Sequence, residues 1–331
     1  MLLHPAVIAL LASSLLITGL VLYAARIGVV ILARWDLASG SEHQLELERK
    51  TYLVSTILAN AFAFQLLSLF LFIFTADRLH EQFIGAMCAA GTLYAAPGGY
   101  VTLLLKVATF LLAGLWLIVN FVDTRAYDYP LVRAKYGLLL LLAPLILVEF
   151  AFQARYLLGL EPDVITSCCG SLFASDTRGV SSDVAGLPLL PSPPLFFATM
   201  TVAGLAGVLF RLSGRGAYLV GALSAFAGVV AGASVVSFIS LYFYELPTHH
   251  CPFDILQAEY RHIGFVLYLC LAGASVAGIG VSVLAPFRRV HSLRRIVPRT
   301  QRRLALVASL LFFAFTATAA WEMLSSDLVL G

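Results

Sequence analysis

Long apolar runs alternate with short polar connections along the whole chain. Eight of these runs are long enough, at about 1.5 Å of helical rise per residue, to cross a hydrocarbon core roughly 30 Å thick. They lie near residues 4–26, 52–76, 100–121, 137–160, 194–211, 217–244, 262–286 and 304–321. The pattern predicts an all-α, polytopic integral membrane protein with eight transmembrane helices surrounded by the lipid bilayer.

The second connection, near residues 83–99, is apolar but interrupted. Its sequence FIGAMCAAGTLYAAPGG contains Gly91 and ends in a Pro-Gly-Gly cluster. Such a segment is too short and too broken to span a bilayer. Irregular backbone at membrane depth is tolerated only where protein or a cavity covers it. We therefore expect a re-entrant or interfacial segment here.

The composition excludes an ordinary soluble domain. The chain is 60% hydrophobic and 12% charged, with a mean hydropathy of +0.93. The connections are too short to form a soluble domain, so we expect a single membrane domain over residues 1–331. No CxxCH motif is present, which argues against a c-type haem. The arginine-rich seventh connection is short, tethered to the membrane and free of interleaved aromatic residues, which argues against a nucleic-acid partner.

Basic residues concentrate at alternate connections. Most of the 21 Lys and Arg residues flank the first, third, fifth and seventh connections, and they are densest between Arg288 and Arg303. Cytoplasmic loops are enriched in Lys and Arg. Both termini are therefore predicted to face outward, with the second, fourth and sixth connections exoplasmic. We expect the protein to lie in the bacterial inner (cytoplasmic) membrane.

Thiol and imidazole groups gather on the predicted exoplasmic side, which holds four of the five cysteines. The second, fourth and sixth connections contribute these residues: Cys88, Cys168, Cys169, His249, His250 and Cys251. Thiolate and imidazole are ligands that suit copper and zinc, and a closed tetrahedral site needs four of them. The cluster thus predicts a metal site formed by these six residues, in a protein that handles copper or zinc at or across the membrane.

Two other interpretations remain open at this point, so the sequence does not decide whether the protein is an enzyme. Cys168 and Cys169 could form the catalytic pair of a thiol-disulfide oxidoreductase that passes electrons to a quinone in the bilayer. Alternatively, disulfides could join Cys168 and Cys169 to Cys88 and Cys251. The chain would then be a non-catalytic subunit of a membrane transporter or respiratory complex, with partner subunits. Disulfides alone do not call for neighbouring histidines, so metal handling is the working hypothesis.

Ionisable residues inside transmembrane segments are costly and are therefore functional candidates. Lys106 lies in the third apolar run and Glu149 in the fourth, and consecutive helices are usually neighbours. We expect the two side chains to pair. Gln153 follows Glu149 by four residues and so shares its helix face. Together these three residues predict a polar path for protons or ions within the membrane.

Overall fold

A computed structural model describes residues 4–36, 41–161, 165–166 and 192–328. These residues form helices joined by short connections, and no strand occurs among them. Eight helices within these ranges are long and apolar enough to cross a membrane. The prediction of an all-α, polytopic, eight-helix membrane protein is confirmed. Cys168 and Cys169 lie outside the described residues.

The helices are numbered here in chain order. The first five are α1 (Pro5–Arg34), α2 (Glu42–Leu79), α3 (Ala89–Ala95), α4 (Gly99–Asp123) and α5 (Val132–Leu158). The others are α6 (Ser192–Ser213), α7 (Ala217–Ser234), α8 (Ser240–Tyr244), α9 (Ile263–Val283) and α10 (Ile296–Ser325). A π-helical turn, Val235–Ile239, joins α7 to α8, so Ala217–Tyr244 is one span.

Several helices are longer than the apolar runs that predicted them. The second run begins near residue 52, but α2 begins at Glu42 and includes the polar stretch EHQLELERK. Glu, Leu, Lys, Arg and Gln all have high helix propensity, so the helix continues beyond the lipid-facing part. In this stretch Glu46 and Lys50 form an i,i+4 ion pair. Apolar length therefore locates the membrane-embedded part of a helix and not its ends.

The helices group into two compact units. Unit 1 comprises Met1–Thr75, Ala96–Glu161 and Pro286–Thr300. Within it, α5 packs against both α1 and α4. The Trp116 side chain is fully buried in this core, makes an edge-to-face contact with Phe62 and donates its indole N–H to the Lys135 carbonyl at 3.0 Å. Large apolar side chains thus fill the centre of unit 1.

Unit 2 comprises the described residues within Ala76–Ala95, Pro162–Ala285 and Gln301–Gly331. Here α7 packs against α6 and α9 through small residues. A Cβ atom added to Gly278 would overlap the Ser224 side chain, and one added to Gly221 would overlap Ser282. Lipid chains are as apolar as the helices, so no hydrophobic driving force brings helices together in a membrane. Helix association there depends instead on such close backbone approach.

The broken apolar connection forms α3, a helix of 7 residues that is too short to cross a membrane. It is preceded by Gly85, whose φ of 87° is a conformation that favours glycine. Thr166 N–H donates to the Ile84 carbonyl at 3.0 Å, so a backbone carbonyl of this connection is paired. Cys88, directly before α3, is fully buried.

Candidate metal centre

Tyr244 holds the turn that carries Cys251. As the last residue of α8, it extends its hydroxyl into the following connection, where it donates to the Cys251 carbonyl at 2.6 Å. The same oxygen accepts a hydrogen bond from Ile255 N–H at 3.0 Å. Both ends of the Cys251–Ile255 turn are therefore fixed to the end of a membrane helix, and Tyr268 adds a further hydrogen bond to the Pro252 carbonyl.

Three buried side chains bring ligand atoms together in unit 2. They are Cys88, Cys251 and Asp254, which expose 0%, 1% and 8% of their surface. One ligand atom from each lies within 4.8 Å of the other two. The sulfur atoms of Cys88 and Cys251 are 3.3 Å apart, a contact and not a covalent distance. Two thiols and a carboxylate at this spacing form a group that could hold a metal ion.

Hydrogen bonds polarise this group. The Cys251 thiol donates to Asp254 Oδ1 at 3.4 Å, and the backbone N–H of Phe253 donates to Cys251 Sγ at 3.4 Å. A backbone donor aimed at sulfur favours the thiolate, which is the form that binds metals. The backbone N–H therefore favours Cys251 as a ligand, whereas the Asp254 carboxylate opposes a second negative charge beside it unless a cation lies between the two groups.

His249 contacts the carboxylate of this group. Its Nε2 lies 2.5 Å from Asp254 Oδ2, and its ring packs edge-on against Tyr244 at 4.8 Å between centroids. The sequence predicted His249 as a metal ligand. The structure pairs its ring nitrogen with the Asp254 carboxylate, and its role as a ligand stays a prediction. His250 points elsewhere, because its Nδ1 is hydrogen-bonded to the Val236 carbonyl of the π-helical turn at 3.0 Å.

Gln257 ties the loop of Cys251 to the loop of Cys88. Its side-chain amide donates to the Met87 carbonyl at 2.8 Å and to Asp77 Oδ1 at 3.4 Å.

Nearby, the Tyr260 ring packs edge-on against the Tyr244 ring, with 5.0 Å between the ring centroids. Burial, with the carboxylates of Asp254 and Glu259, raises the pKa of the Tyr260 phenol. The Tyr260 phenol therefore stays uncharged beside the Asp254 carboxylate.

Sequence reasoning did not predict Asp254 as part of the centre. The available signal was the spacing Cys-x-x-Asp in CPFD, which in a tight turn can place thiol and carboxylate side by side. That spacing matches no established zinc motif, so it carried little weight. Only the fold shows that Cys88, which is 163 residues from Cys251 in the sequence, contacts the Cys251–Ile255 turn.

The predicted intramembrane pair lies in unit 1. Lys106 Nζ is 2.8 Å from Glu149 Oε1, and both side chains are almost fully buried. Glu149 also accepts hydrogen bonds from Gln65 at 2.7 Å and from Thr109 at 2.5 Å, while Lys106 donates to Ser68 at 2.7 Å. These partners offset the desolvation of two buried charges, so the network joins α2, α4 and α5.

Gln153 does not take part in that network. Its amide donates to the Leu10 carbonyl at 3.1 Å and to Ser14 Oγ at 2.8 Å, both on α1. Although Gln153 follows Glu149 by four residues, α5 packs against two helices, and the two side chains face different neighbours. The three residues predicted as one polar path therefore divide into an ion pair and a separate helix contact.

A second buried ion pair was missed from the sequence. Lys135 Nζ lies 2.7 Å from Asp123 Oδ2 and 3.3 Å from Asn120 Oδ1. The other oxygen of Asp123 accepts the backbone N–H of Leu131 at 2.8 Å. Lys135 stands at a predicted cytoplasmic connection, where basic residues are interpreted as topology signals. Its burial depends on the turn between α4 and α5, which folds it back onto Asp123.

Comparison with known proteins gives no relative. No protein-family model, no curated protein and no solved structure matches the chain. The fold and the site themselves define the class: a polytopic all-α membrane protein with a buried Cys/Cys/Asp group that could hold a metal ion.

Proposed function

We propose that this integral membrane protein binds a soft transition metal ion through Cys88, Cys251 and Asp254 and handles it at the predicted exoplasmic face. The observation that carries the proposal is the convergence of the three ligand atoms within 4.8 Å in a buried site. Buried carboxylates and thiolates are costly unless they are paired or coordinate a cation. A bound cation would compensate these groups.

The ligand set favours zinc over copper. Cu(I) selects thiolate and thioether ligands, whereas Zn(II) also accepts carboxylate oxygen. Zinc–sulfur bonds of about 2.3 Å in a tetrahedral site place two sulfurs roughly 3.8 Å apart. The 3.3 Å between Cys88 and Cys251 would need to widen only slightly. Among the described residues three ligands converge. A tetrahedral ion held by three protein ligands has a fourth coordination position open to an exchangeable ligand. A site that takes up and releases a metal ion requires such an open position.

Metal analysis of the purified protein tests this proposal. After purification under reducing conditions and incubation with zinc, the wild type should retain about one zinc ion per chain. Cys88→Ser, Cys251→Ser and Asp254→Asn should each lose most of the metal. Cys270→Ser is the matched control, since Cys270 lies in α9 outside the group. A wild type without zinc, or a control that loses as much metal as Cys251→Ser, would contradict the proposal.

The sulfur contact supports a second candidate, a thiol-disulfide oxidoreductase. Two thiols 3.3 Å apart can form a disulfide with little movement. In that reaction the S–S bond forms, both S–H bonds break, and the two protons and two electrons pass to a quinone, which becomes a quinol. The catalytic pair would then be Cys88 and Cys251, whereas the sequence predicted Cys168 and Cys169.

Thiol labelling distinguishes the two candidates. In a metal-binding protein, zinc should protect Cys88 and Cys251 from a maleimide, and a chelator should restore labelling without any reductant. In an oxidoreductase, labelling should instead require mild reduction and should disappear again when a short-chain quinone is added. Peptide mapping by mass spectrometry identifies which cysteines respond.

A further inference from the structure

A small cavity, mostly apolar by surface but with several polar groups in its wall, lies within unit 1. It has a volume of about 180 Å³ and lies where α2 passes the end of α4 and the start of α5. Its wall includes Thr51, Ser55, Asn120 and Lys135. One water molecule occupies about 30 Å³ of liquid, and drug-sized pockets begin near 300 Å³. The cavity therefore suits a single ring or a short polar group.

Two buried hydroxyl groups at this cavity lack hydrogen bonds. Thr51 and Ser55 are each 3% exposed, and neither Thr51 Oγ1 nor Ser55 Oγ has a partner among the described residues. The Tyr136 phenol interacts with both side chains, but neither hydroxyl meets it with hydrogen-bond geometry, and the phenol donates to the Thr51 carbonyl at 3.4 Å. An unsatisfied buried hydroxyl costs about 1–3 kcal/mol. These hydroxyls are therefore available to a ligand that accepts hydrogen bonds.

The charges at the wall cancel. Lys135 is paired with Asp123 at 2.7 Å and also contacts Asn120, and its ammonium has a third N–H to offer. A wall that is rich in donors but has no net charge favours a neutral acceptor, such as a carbonyl oxygen, over a phosphate group. A phosphate would need an uncompensated cation to replace its hydration.

The cavity opens on a surface of α2 that carries polar groups. Tyr52 is 59% exposed, and Thr56 and Asn60 follow it at helical spacing on the same exposed face. On the other side, Tyr129 has a φ of 46°, a conformation that bulky residues rarely adopt. A molecule dissolved in the bilayer could enter at this α2 face without passing through the protein.

We propose that this cavity binds the carbonyl-bearing ring of a lipid-soluble quinone. The ring would lie beside Tyr52 and Tyr129, and its carbonyl oxygens would accept hydrogen bonds from Thr51, Ser55 and Lys135. The cavity volume, the two unpartnered hydroxyls, the neutral donor-rich wall and the opening on α2 together select this chemistry. The proposal is independent of the metal centre, which lies in unit 2.

Quenching of tryptophan fluorescence by menadione tests the proposal on the full-length protein in detergent. Trp116 is a suitable reporter, because its indole is hydrogen-bonded to the Lys135 carbonyl. The wild type should show saturable quenching that is lost in Trp116→Phe. The double variant Thr51→Val/Ser55→Ala removes two donors without adding volume to the cavity wall. It should weaken binding about tenfold or more.

A cavity-filling variant provides a second, independent measurement. Ala59 lines the cavity, so Ala59→Phe should abolish saturable quenching. Ala12→Phe on the exposed face of α1 is its matched control and should leave binding unchanged. The proposal is overturned if the wild type shows only linear, non-saturable quenching, which would indicate a cavity that holds water alone. It is also overturned if phosphatidylglycerol displaces menadione while neutral lipid does not, since that outcome assigns the cavity to an anionic headgroup.

Discussion

The two oxygens of Asp254 have different partners. Oδ1 accepts a hydrogen bond from the Cys251 thiol, and Oδ2 lies 2.5 Å from His249. A carboxylate held on one side by histidine presents its other oxygen in a fixed direction, which reduces the reorganisation needed to bind a cation. At the scale of single residues, the proposed affinity of the centre therefore depends on a side chain that is not itself among the three ligands.

His249→Gln should lower zinc affinity about 10–100-fold without changing the number of ions bound, because outer partners of metal ligands typically contribute that much. Competition with a chromogenic zinc chelator measures the affinity. His291→Gln, in a turn of unit 1, should have no effect. If His249→Gln removes the metal entirely, His249 is a ligand and not an orienting group.

Removing one member of the Lys106–Glu149 pair should destabilise unit 1 by about 3–5 kcal/mol, because it leaves a buried charge without its counterion. Glu149→Gln and Lys106→Met would each lower the unfolding midpoint in detergent. The double variant should lose less than the sum of the two single losses, since the uncompensated charge is gone. Strictly additive losses would show that the two charges do not stabilise each other.

The polar residues differ in how far the sequence could predict them. Lys106 and Glu149 could be paired beforehand, because charges in adjacent apolar helices have few other partners. The position of Gln153 could not, since four residues along a helix leave a side chain on nearly the same face, and the arrangement of neighbours then decides its partner. Lys135 and Asp254 were overlooked because a basic residue at a helix end and an acid near a cysteine each have common explanations that need no tertiary contact.

At the scale of helices, the contact between α7 and α9 depends on two glycines, which have no side chain to keep the helices apart. Gly278 of α9 receives Ser224 of α7, and Gly221 of α7 receives Ser282 of α9. The two contacts are reciprocal, so each helix supplies both a gap and a small polar side chain. This arrangement fixes the register of the two helices as well as their distance.

Gly278→Ala should destabilise the protein by about 1–3 kcal/mol, although alanine favours helix formation, because its Cβ overlaps Ser224. Gly232→Ala is the matched control: Gly232 lies in α7 with open space around its Cα, and this change should be neutral or stabilising. Thermal unfolding in detergent compares them. Equal stability of the two variants would mean that α7 and α9 separate easily.

The apolar runs predicted these helices well and their contacts poorly. Hydrophobicity reports the lipid-embedded length of a helix, so all eight spans could be located from the sequence. The extensions of α2 and α10 into polar sequence follow from helix propensity, which apolar length does not measure. Which glycine meets which serine depends on helix rotation, and a glycine-rich sequence offers many equivalent choices.

At the scale of the whole molecule, the distribution of basic residues predicts which end of each helix faces the cytoplasm. By that prediction the Cys88 and Cys251 loops are exoplasmic, and the cavity near Lys135 lies toward the cytoplasmic ends of its helices. The metal centre belongs to unit 2 and the cavity to unit 1. The two proposed activities can therefore be disabled separately.

Sidedness can be measured by labelling introduced cysteines in intact cells. Ser325→Cys, at the exposed end of α10, should react with a membrane-impermeant maleimide added outside. Ser213→Cys, at the exposed end of α6, should react only after the membrane is permeabilised. The reverse result would place the cysteine group in the cytoplasm and would remove its proposed contact with exoplasmic metal.

The π-helical turn Val235–Ile239 has a consequence for how this chain tolerates insertions and deletions. Such a turn contains one residue more than an α-helical turn of the same span. Deleting one residue there would restore regular α-helical winding over the same turn, and the helix beyond it would keep its direction. Tyr244 would still point at the Cys251 turn, whereas the Val236 carbonyl would return to the helix ladder instead of pairing with His250. This turn can therefore lose one residue without turning the end of the helix away from the site, whereas a deletion in the regular part of α7 would rotate that end by about 100°.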